Sequence, residues 1–209
     1  MVSVLIPARG GSSRVPNKNL QTLGGMPLVE VSVFQAEALF PGAQVVVSTD
    51  SERIADVVHC EVLRRPEHLC TNTARTIDVI HHHLPELKGD WIALFQPTNP
   101  FRNLNSIRTQ LEQVELSNFD SFFTAFPFHG FLYDATGKRL NSKGRVMSQE
   151  QRGVFKEDGA FYLFNRNVEV EQDWIFGRTK ILDGIDLPDI NTLEDLENAR
   201  RAWSADWLC

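Results

Sequence analysis

Residues 6–19 read Ile-Pro-Ala-Arg-Gly-Gly-Ser-Ser-Arg-Val-Pro-Asn-Lys-Asn and hold three cations, Arg9, Arg14 and Lys18, with no anion. The first acidic residue of the chain is Glu30, and the whole chain carries a formal charge of −6, so this loop reverses the local sign. Gly10 and Gly11 let backbone N–H groups come close to a ligand, because no Cβ stands in the way. Successive N–H groups in such a turn form a concave anion site. Arginine adds a two-pronged donor for phosphate oxygens, and lysine adds a point charge. The chemistry expected of this segment is the holding of a polyanion such as a triphosphate; a plain surface turn is the alternative.

Two better-known phosphate loops do not fit. A P-loop needs Gly-Lys-Ser/Thr opening a helix, and here Gly11 is followed by Ser12, Ser13 and Arg14. A dinucleotide fingerprint needs a third glycine and a helix behind it, whereas Val15-Pro16-Asn17 breaks the path.

The elements that would carry this loop alternate. Apolar or β-branched runs at 2–6, 44–48, 60–63, 91–95, 121–126, 159–164 and 178–182 read as strands. Segments 28–40, 52–58, 73–87, 103–116 and 192–203 read as helices. The first of these helices has Pro27 at its start and Pro41-Gly42 behind it. Asn191, Thr192, Glu194 and Asp195 are capping candidates for the last one. Strand–helix alternation predicts an α/β fold with a mostly parallel sheet and right-handed crossovers. Ligands of such sheets sit beyond the carboxyl ends of the strands. The segments after the first four strands, 7–19, 49–50, 64–76 and 96–102, are all rich in polar or basic groups.

A length of 209 residues predicts one domain, with residues 128–155, which lack a clear period, as an insertion that covers a substrate or meets a second subunit. No stretch has the apolar length of a membrane span, and no basic n-region precedes the first strand, so the expected compartment is the cytoplasm. Cys60, Cys70 and Cys209 are an odd, sparse set without CxxC spacing, which argues against a disulfide framework or structural zinc. The acidic balance argues against nonspecific nucleic-acid binding.

Four motifs stand in order: Ile6 to Ser12, Ser48-Thr49-Asp50, Gln96-Pro97-Thr98-Asn99-Pro100-Phe101-Arg102, and Asp189 to Asp195. With Pro16-Asn17-Lys18-Asn19-Leu20, Arg65-Pro66-Glu67-His68-Leu69 and Asp158-Gly159-Ala160-Phe161-Tyr162, they make the chain resemble the acylneuraminate cytidylyltransferases from end to end. The resemblance implies a three-layer, Rossmann-like nucleotidyltransferase fold and a homodimer. It implies Mg²⁺-dependent transfer of CMP from CTP to an acidic nine-carbon 2-keto sugar, with release of pyrophosphate. It assigns Arg9 and Lys18 to catalysis. The triphosphate segment then comprises Ala8, Gly10, Gly11, Ser12 and Arg14, with Asn19 at the phosphate or ribose, and Arg65, Ala74 and Thr76 at the base. Gln96, Thr98 and Arg102, with Gln149 and Phe161, fall to the sugar acid, and Asp189 and Asn191 to the metal.

Several of these residues have plainer readings. Gln96 could cap backbone groups at a strand end, Asp50 could be a helix N-cap, and Asp189 could be an ordinary loop residue. His81, His82 and His83 point in different directions on a helix and read as mostly solvated. Phe122, Phe123, Phe126 and Phe128 read as core or dimer contact. The chain also departs from the family. Asn191 stands where a second aspartate is usual, Ser13 where a lysine is common, and Ser148-Gln149 where an Arg-Gln pair is common, with Arg145 or Arg152 as substitutes. These departures leave open a different acidic acceptor, such as an octulosonate or a phosphonate-like acid, or a weakened nucleotide-binding homologue.

Overall fold

The computed structural model describes residues 1–140, 154–167, 173–187 and 189–208. In chain order they form β1 (Val2–Pro7), a hairpin of β2 (Thr22–Leu23) and β3 (Met26–Pro27), α1 (Leu28–Leu39), β4 (Gln44–Thr49), α2 (Glu52–Ala55), β5 (Glu61–Arg64) and α3 (Thr76–His83). Then come β6 (Trp91–Leu94), α4 (Leu104–Glu112), β7 (Ser121–Pro127), β8 (Phe155–Asn165), β9 (Thr179–Asp183) and α5 (Leu193–Ala202).

Seven strands make one sheet in the order β5-β4-β1-β6-β8-β7-β9. β1 pairs in parallel with β4 (Val4 opposite Val45) and with β6 (Leu5 opposite Leu94). β8 alone runs against its neighbours β6 and β7, so the sheet is mixed but mostly parallel. The central strands are apolar at consecutive positions because both faces are covered. Val4, Ile6, Val45, Val47, Ala93 and Phe95 face one side, against Val29, Val33 and Ala36 of α1 and Leu104 and Ile107 of α4. Leu5, Val46, Ile92 and Leu94 face the other, against Ile77 and Ile80 of α3. This gives an α/β fold with three layers.

Helix ends depart from the periodicity in ways local chemistry explains. The Asp78 carboxylate accepts the Arg75 N–H and so starts α3 at Thr76 rather than 73. Pro85 has no N–H with which to continue it. The expected helix over 52–58 shrinks to the single turn of α2. Thr192 caps α5: its hydroxyl accepts the Asp195 N–H at 3.2 Å, and Asp195 accepts the Thr192 N–H at 2.8 Å. The hairpin β2–β3 was not expected from the sequence. Of the four phenylalanines at 122–128, Phe122 is wholly buried in the core. In the 128–155 segment, Asp134 accepts the N–H groups of Thr136 and Lys138 in a tight turn. Residues 141–153, Arg145, Ser148, Gln149 and Arg152 with them, lie outside the described residues.

Candidate active site

At the carboxyl ends of β1, β4, β5 and β6 the chain opens a cleft of about 220 Å³. Arg9, Gly11, Ser12, Arg14, Lys18 and Asn19 line it from the loop after β1. Arg65, Ala74 and Thr76 line it from the segment after β5, and Gln96 and Thr98 from the turn after β6. Ser13 and Pro97, both from the motifs, line it too, and Arg75 and Val79 line it without having been singled out in the sequence. Their only sequence signal was adjacency to the motifs.

The loop cations are all held by neutral oxygens. Arg9 donates from Nη1 to the Cys70 carbonyl at 3.2 Å, Lys18 from Nζ to the Ile190 carbonyl at 2.9 Å, and Arg14 from Nη2 to Asn191 Oδ1 at 2.7 Å. Arg65, 8% exposed, donates from Nη2 to the Ser48 carbonyl at 3.0 Å. Among the described residues none of these four forms an ion pair with a carboxylate, although six other ion pairs occur elsewhere. A neutral carbonyl orients a cation without cancelling its charge, so the cleft keeps a positive field in an acidic protein. Burial lowers the Lys18 pKa, the nearby Asp189 carboxylate raises it in part, and Arg14 and Arg9 push it down further. Burial likewise lowers that of Arg65.

Loop shape is fixed from below. The Asn19 amide donates to the Arg9 carbonyl at 2.9 Å and so ties the two ends of the loop together. Asn17 carries a left-handed φ of 50° at the turn into the short 3-10 segment Lys18–Leu20, a conformation asparagine tolerates better than most residues. Asp50 is not a helix cap: Ser51 holds that position, and Asp50 Oδ1 accepts the Gly10 N–H at 2.7 Å. Gly10 therefore leans on Ser51, whose Cβ would lie 2.8 Å from any Cβ at position 10. Gly10 and Ala8 lie behind the cleft surface; Ala8 is fully buried and spends its N–H on the Ser48 carbonyl at 2.9 Å. Gln96 does not cap its strand end with its side chain, which makes no hydrogen bond among the described residues and faces the cleft.

Two expected sugar contacts are corrected. Arg102 is 1% exposed, and its guanidinium is consumed by the protein itself. It donates to the carbonyls of Ala160 (2.6 Å) and Gln96 (2.7 Å) and to Gln35 Oε1 (2.5 Å), and it lies 4.7 Å from the Phe95 ring centre. Phe161 is fully buried against Phe95 and Phe40. Neither lines the cleft: Arg102 holds the Gln96 carbonyl from behind, and Phe161 belongs to the core. The histidine run is split: His81 and His82 are exposed, whereas His83 is 1% exposed.

The carboxy-terminal segment closes one edge. Asn191 accepts from Arg14 and donates from its amide to Asp189, so it bridges the two. The Ile190 N–H donates to the Thr98 carbonyl at 2.9 Å, which moors the segment to the turn after β6. No cluster of three or more His, Cys, Asp or Glu suited to a metal occurs among the described residues. Mg²⁺ commonly takes only one or two protein carboxylates and completes its shell with phosphate oxygens and water. The exposed Asp189 carboxylate at the cleft edge suits that sparse pattern, while the Asn191 oxygen is already engaged by Arg14.

Residues 3–174 match the cytidylyltransferase family. The chain belongs to that family. The chain is similar to the CMP-N,N'-diacetyllegionaminic acid synthase of Legionella pneumophila, 37% identical over 184 residues that cover 78% of this chain and 77% of that protein. It is 28% identical over 192 residues to N-acylneuraminate cytidylyltransferase A of Danio rerio; the match covers 86% of this chain but 44% of the longer fish protein. Its backbone follows that of a CMP:2-keto-3-deoxy-manno-octonic acid synthetase solved with CTP, with a TM-score of 0.68 over 96% of this chain and 97% of that one. At 18% identity that likeness speaks for the nucleotidyltransferase fold alone. No helix among the described residues is long and apolar enough to cross a membrane.

Proposed function

We propose that this cytidylyltransferase transfers CMP from CTP to an acidic sugar of the nonulosonic class, such as an N-acylneuraminate. The single observation that carries the reading is the set of four oriented cations, Arg9, Arg14, Lys18 and Arg65, around one cleft, none in an ion pair with a carboxylate among the described residues. The acceptor's anomeric hydroxyl oxygen attacks the α-phosphorus, the α–β anhydride bond breaks, pyrophosphate leaves and the hydroxyl proton passes to solvent. Lys18 and Arg9 counter the charge that grows on the phosphoryl oxygens and the leaving group; such transfer depends mainly on positioning and electrostatics. Gly11 and Ser12 cradle the triphosphate, and Arg65, Ala74 and Thr76 take the base side. Gln96 and Thr98 take the sugar acid. Asp189 would hold Mg²⁺, which when bound adds positive charge at the phosphates and lowers the pKa of a coordinated hydroxyl.

A pyrophosphate-release assay with CTP, UTP, ATP and GTP against a panel of 2-keto sugar acids tests the reading, with mass spectrometry of the product. Turnover confined to CTP and a nine-carbon acid is the expected result; well-folded protein that releases no pyrophosphate with any pair overturns it.

A second reading, a nucleotide-binding homologue with weak turnover, is favoured by the engagement of Asn191 with Arg14. A neutral amide lacks the charge a hard cation prefers. Asn191→Asp separates the two readings: a large gain in rate at low Mg²⁺ marks the native site as impaired, and no gain marks it as sufficient. Exposed Phe131, Leu132, Tyr133 and Leu140 in the 128–155 segment suit a second copy of the chain, and sedimentation checks that assembly.

A further inference from the structure

Behind the cleft wall two buried polar side chains that the reaction just described does not use, His83 and Ser48, lead to Arg65, which it does. His83 ends α3, and its Nε2 lies 2.9 Å from Ser48 Oγ in β4. The same hydroxyl oxygen accepts the Nε–H of Arg65 at 3.1 Å, and the Ser48 carbonyl accepts Arg65 Nη2–H at 3.0 Å. Ser48 is wholly buried. α3 turns Thr76 and Val79 to the cleft, and His83 lies further along the same face. His83 Nδ1 is buried and has no hydrogen-bond partner among the described residues.

A count of unmade hydrogen bonds decides which way the protons point. Arg65 can only donate, so the Ser48 oxygen must accept from it. If His83 Nε2 also donated to that oxygen, two groups would be stranded, the Ser48 hydroxyl proton and the Nδ1 lone pair. If instead Ser48 donates to Nε2, only the Nδ1–H is stranded. Buried unmade bonds are costly, so the second arrangement holds. The ring is then neutral; its pKa falls to about 4, first through burial, then through His82 and Arg65, with Glu86 opposing. A leucine would fill the same space without an orphaned N–H, so packing alone does not account for an imidazole here.

We infer that His83 is a positioning residue of the nucleotide site: it takes the Ser48 hydroxyl proton, and Ser48, so turned, clamps the guanidinium plane of Arg65 at the base side of the cleft. The functional half of this inference rests on the proposed CTP reaction; the hydrogen-bond relay itself does not. In that reading Arg9 and Lys18 serve the phosphates and Arg65 the base, so the relay acts on the nucleoside part of the ligand.

The test combines ¹⁵N NMR of the labelled imidazole with calorimetry on His83→Leu, His83→Gln and Ser48→Ala. At pH 7 the His83 ring is expected as the Nδ1–H tautomer, with an Nε2 shift that changes in Ser48→Ala. His83→Leu and Ser48→Ala are expected to weaken CTP about five- to tenfold, the scale of one lost hydrogen bond. Inorganic triphosphate should bind both variants as it binds the native protein, whereas a merely structural defect would weaken both ligands. His83→Gln, whose amide oxygen can take the serine proton, should restore CTP affinity. Ser48→Ala removes a single atom and cuts the same link if the leucine variant does not fold. An Nε2–H tautomer, or native CTP affinity in Ser48→Ala, overturns the relay. Native protein that binds no CTP refutes the nucleotide reading, and the tautomer then still decides the relay.

Discussion

Replacing Arg102 should cost far more stability than its place in a proline-rich turn suggests. Its guanidinium is fully enclosed, and burial draws its pKa down to about 9. Among the described residues no carboxylate pairs with it, although Asp158 acts on it from further off; its charge is met by two backbone carbonyls, one amide oxygen and the face of Phe95. Hydrogen bonds to a charged group contribute about 1.5–3 kcal/mol each, and a desolvated cation–π contact about 2 kcal/mol. Against them stands the desolvation of the guanidinium, several kcal/mol. Arg102→Met removes the charge, and with it the desolvation cost, but leaves the Ala160 carbonyl and Gln35 Oε1 without a donor at about 1–3 kcal/mol each, while the Gln96 carbonyl keeps the Asn99 N–H at 3.0 Å. The net expectation is a loss of about 3–5 kcal/mol, or roughly 6–20 °C in melting temperature for a chain of this size. Urea unfolding at pH 7 measures it. Because Arg102 also holds the Gln96 carbonyl, KM for the acceptor should rise in any variant that still folds. A methionine variant within 1 kcal/mol of native stability would refute the reasoning, because the acceptors would then have been satisfied without the arginine.

Lys18→Ala and Arg9→Ala should each lower kcat by roughly two or more orders of magnitude, the scale of lost transition-state charge stabilisation, with little change in melting temperature; near-native pyrophosphate release removes that residue from the reaction. Stability should fall as pH drops from about 6.5 to about 4, because the unfolded chain protonates His83 at its ordinary value and the folded chain resists until about 4. The imidazole's share is on the order of 2–3 kcal/mol, present above that window and lost through it, and it is read as the difference between native and His83→Gln protein in urea melts at pH 7 and 4.5. Gly159→Ala should cost about 1–3 kcal/mol: φ there is +73°, and a Cβ would lie 2.2 Å from Asn99 Nδ2, which donates to the Asp158 carbonyl.

Much of this architecture was legible beforehand. The runs that became β1, β4 and β6 are apolar on both faces over most of their length, Ser3 and Ser48 being buried exceptions, because helices cover both faces, and that pattern survives in the sequence. The cationic loop was legible too, since a cluster of one charge sign in a chain of the other is a one-dimensional fact. What stayed hidden depends on partners distant in sequence. Arg102 reads as a ligand contact until Gln35, 67 residues away, and Ala160, 58 residues away, are seen to enclose it. Phe161 lies two residues after the left-handed Gly159, in a strand whose pairing with β7 shifts between Phe123 and Ala125, so alternation could not tell its direction. The role of Asp50 turned on the backbone of Gly10, which no spacing rule connects to it. The burial of His83 but not His82 follows from helix phase, which three consecutive histidines conceal.

Arg14 and Lys18 find their acceptors in Asn191 and Ile190, 177 and 172 residues further along the chain. During synthesis, then, the sheet can begin to assemble well before the basic loop acquires its shape. The emerging polypeptide carries those cations loose until residues 190 and 191 arrive. Only after that point can an incoming anion meet a preformed receptor. The basic loop is translated long before residues 190 and 191, yet it matures only with them.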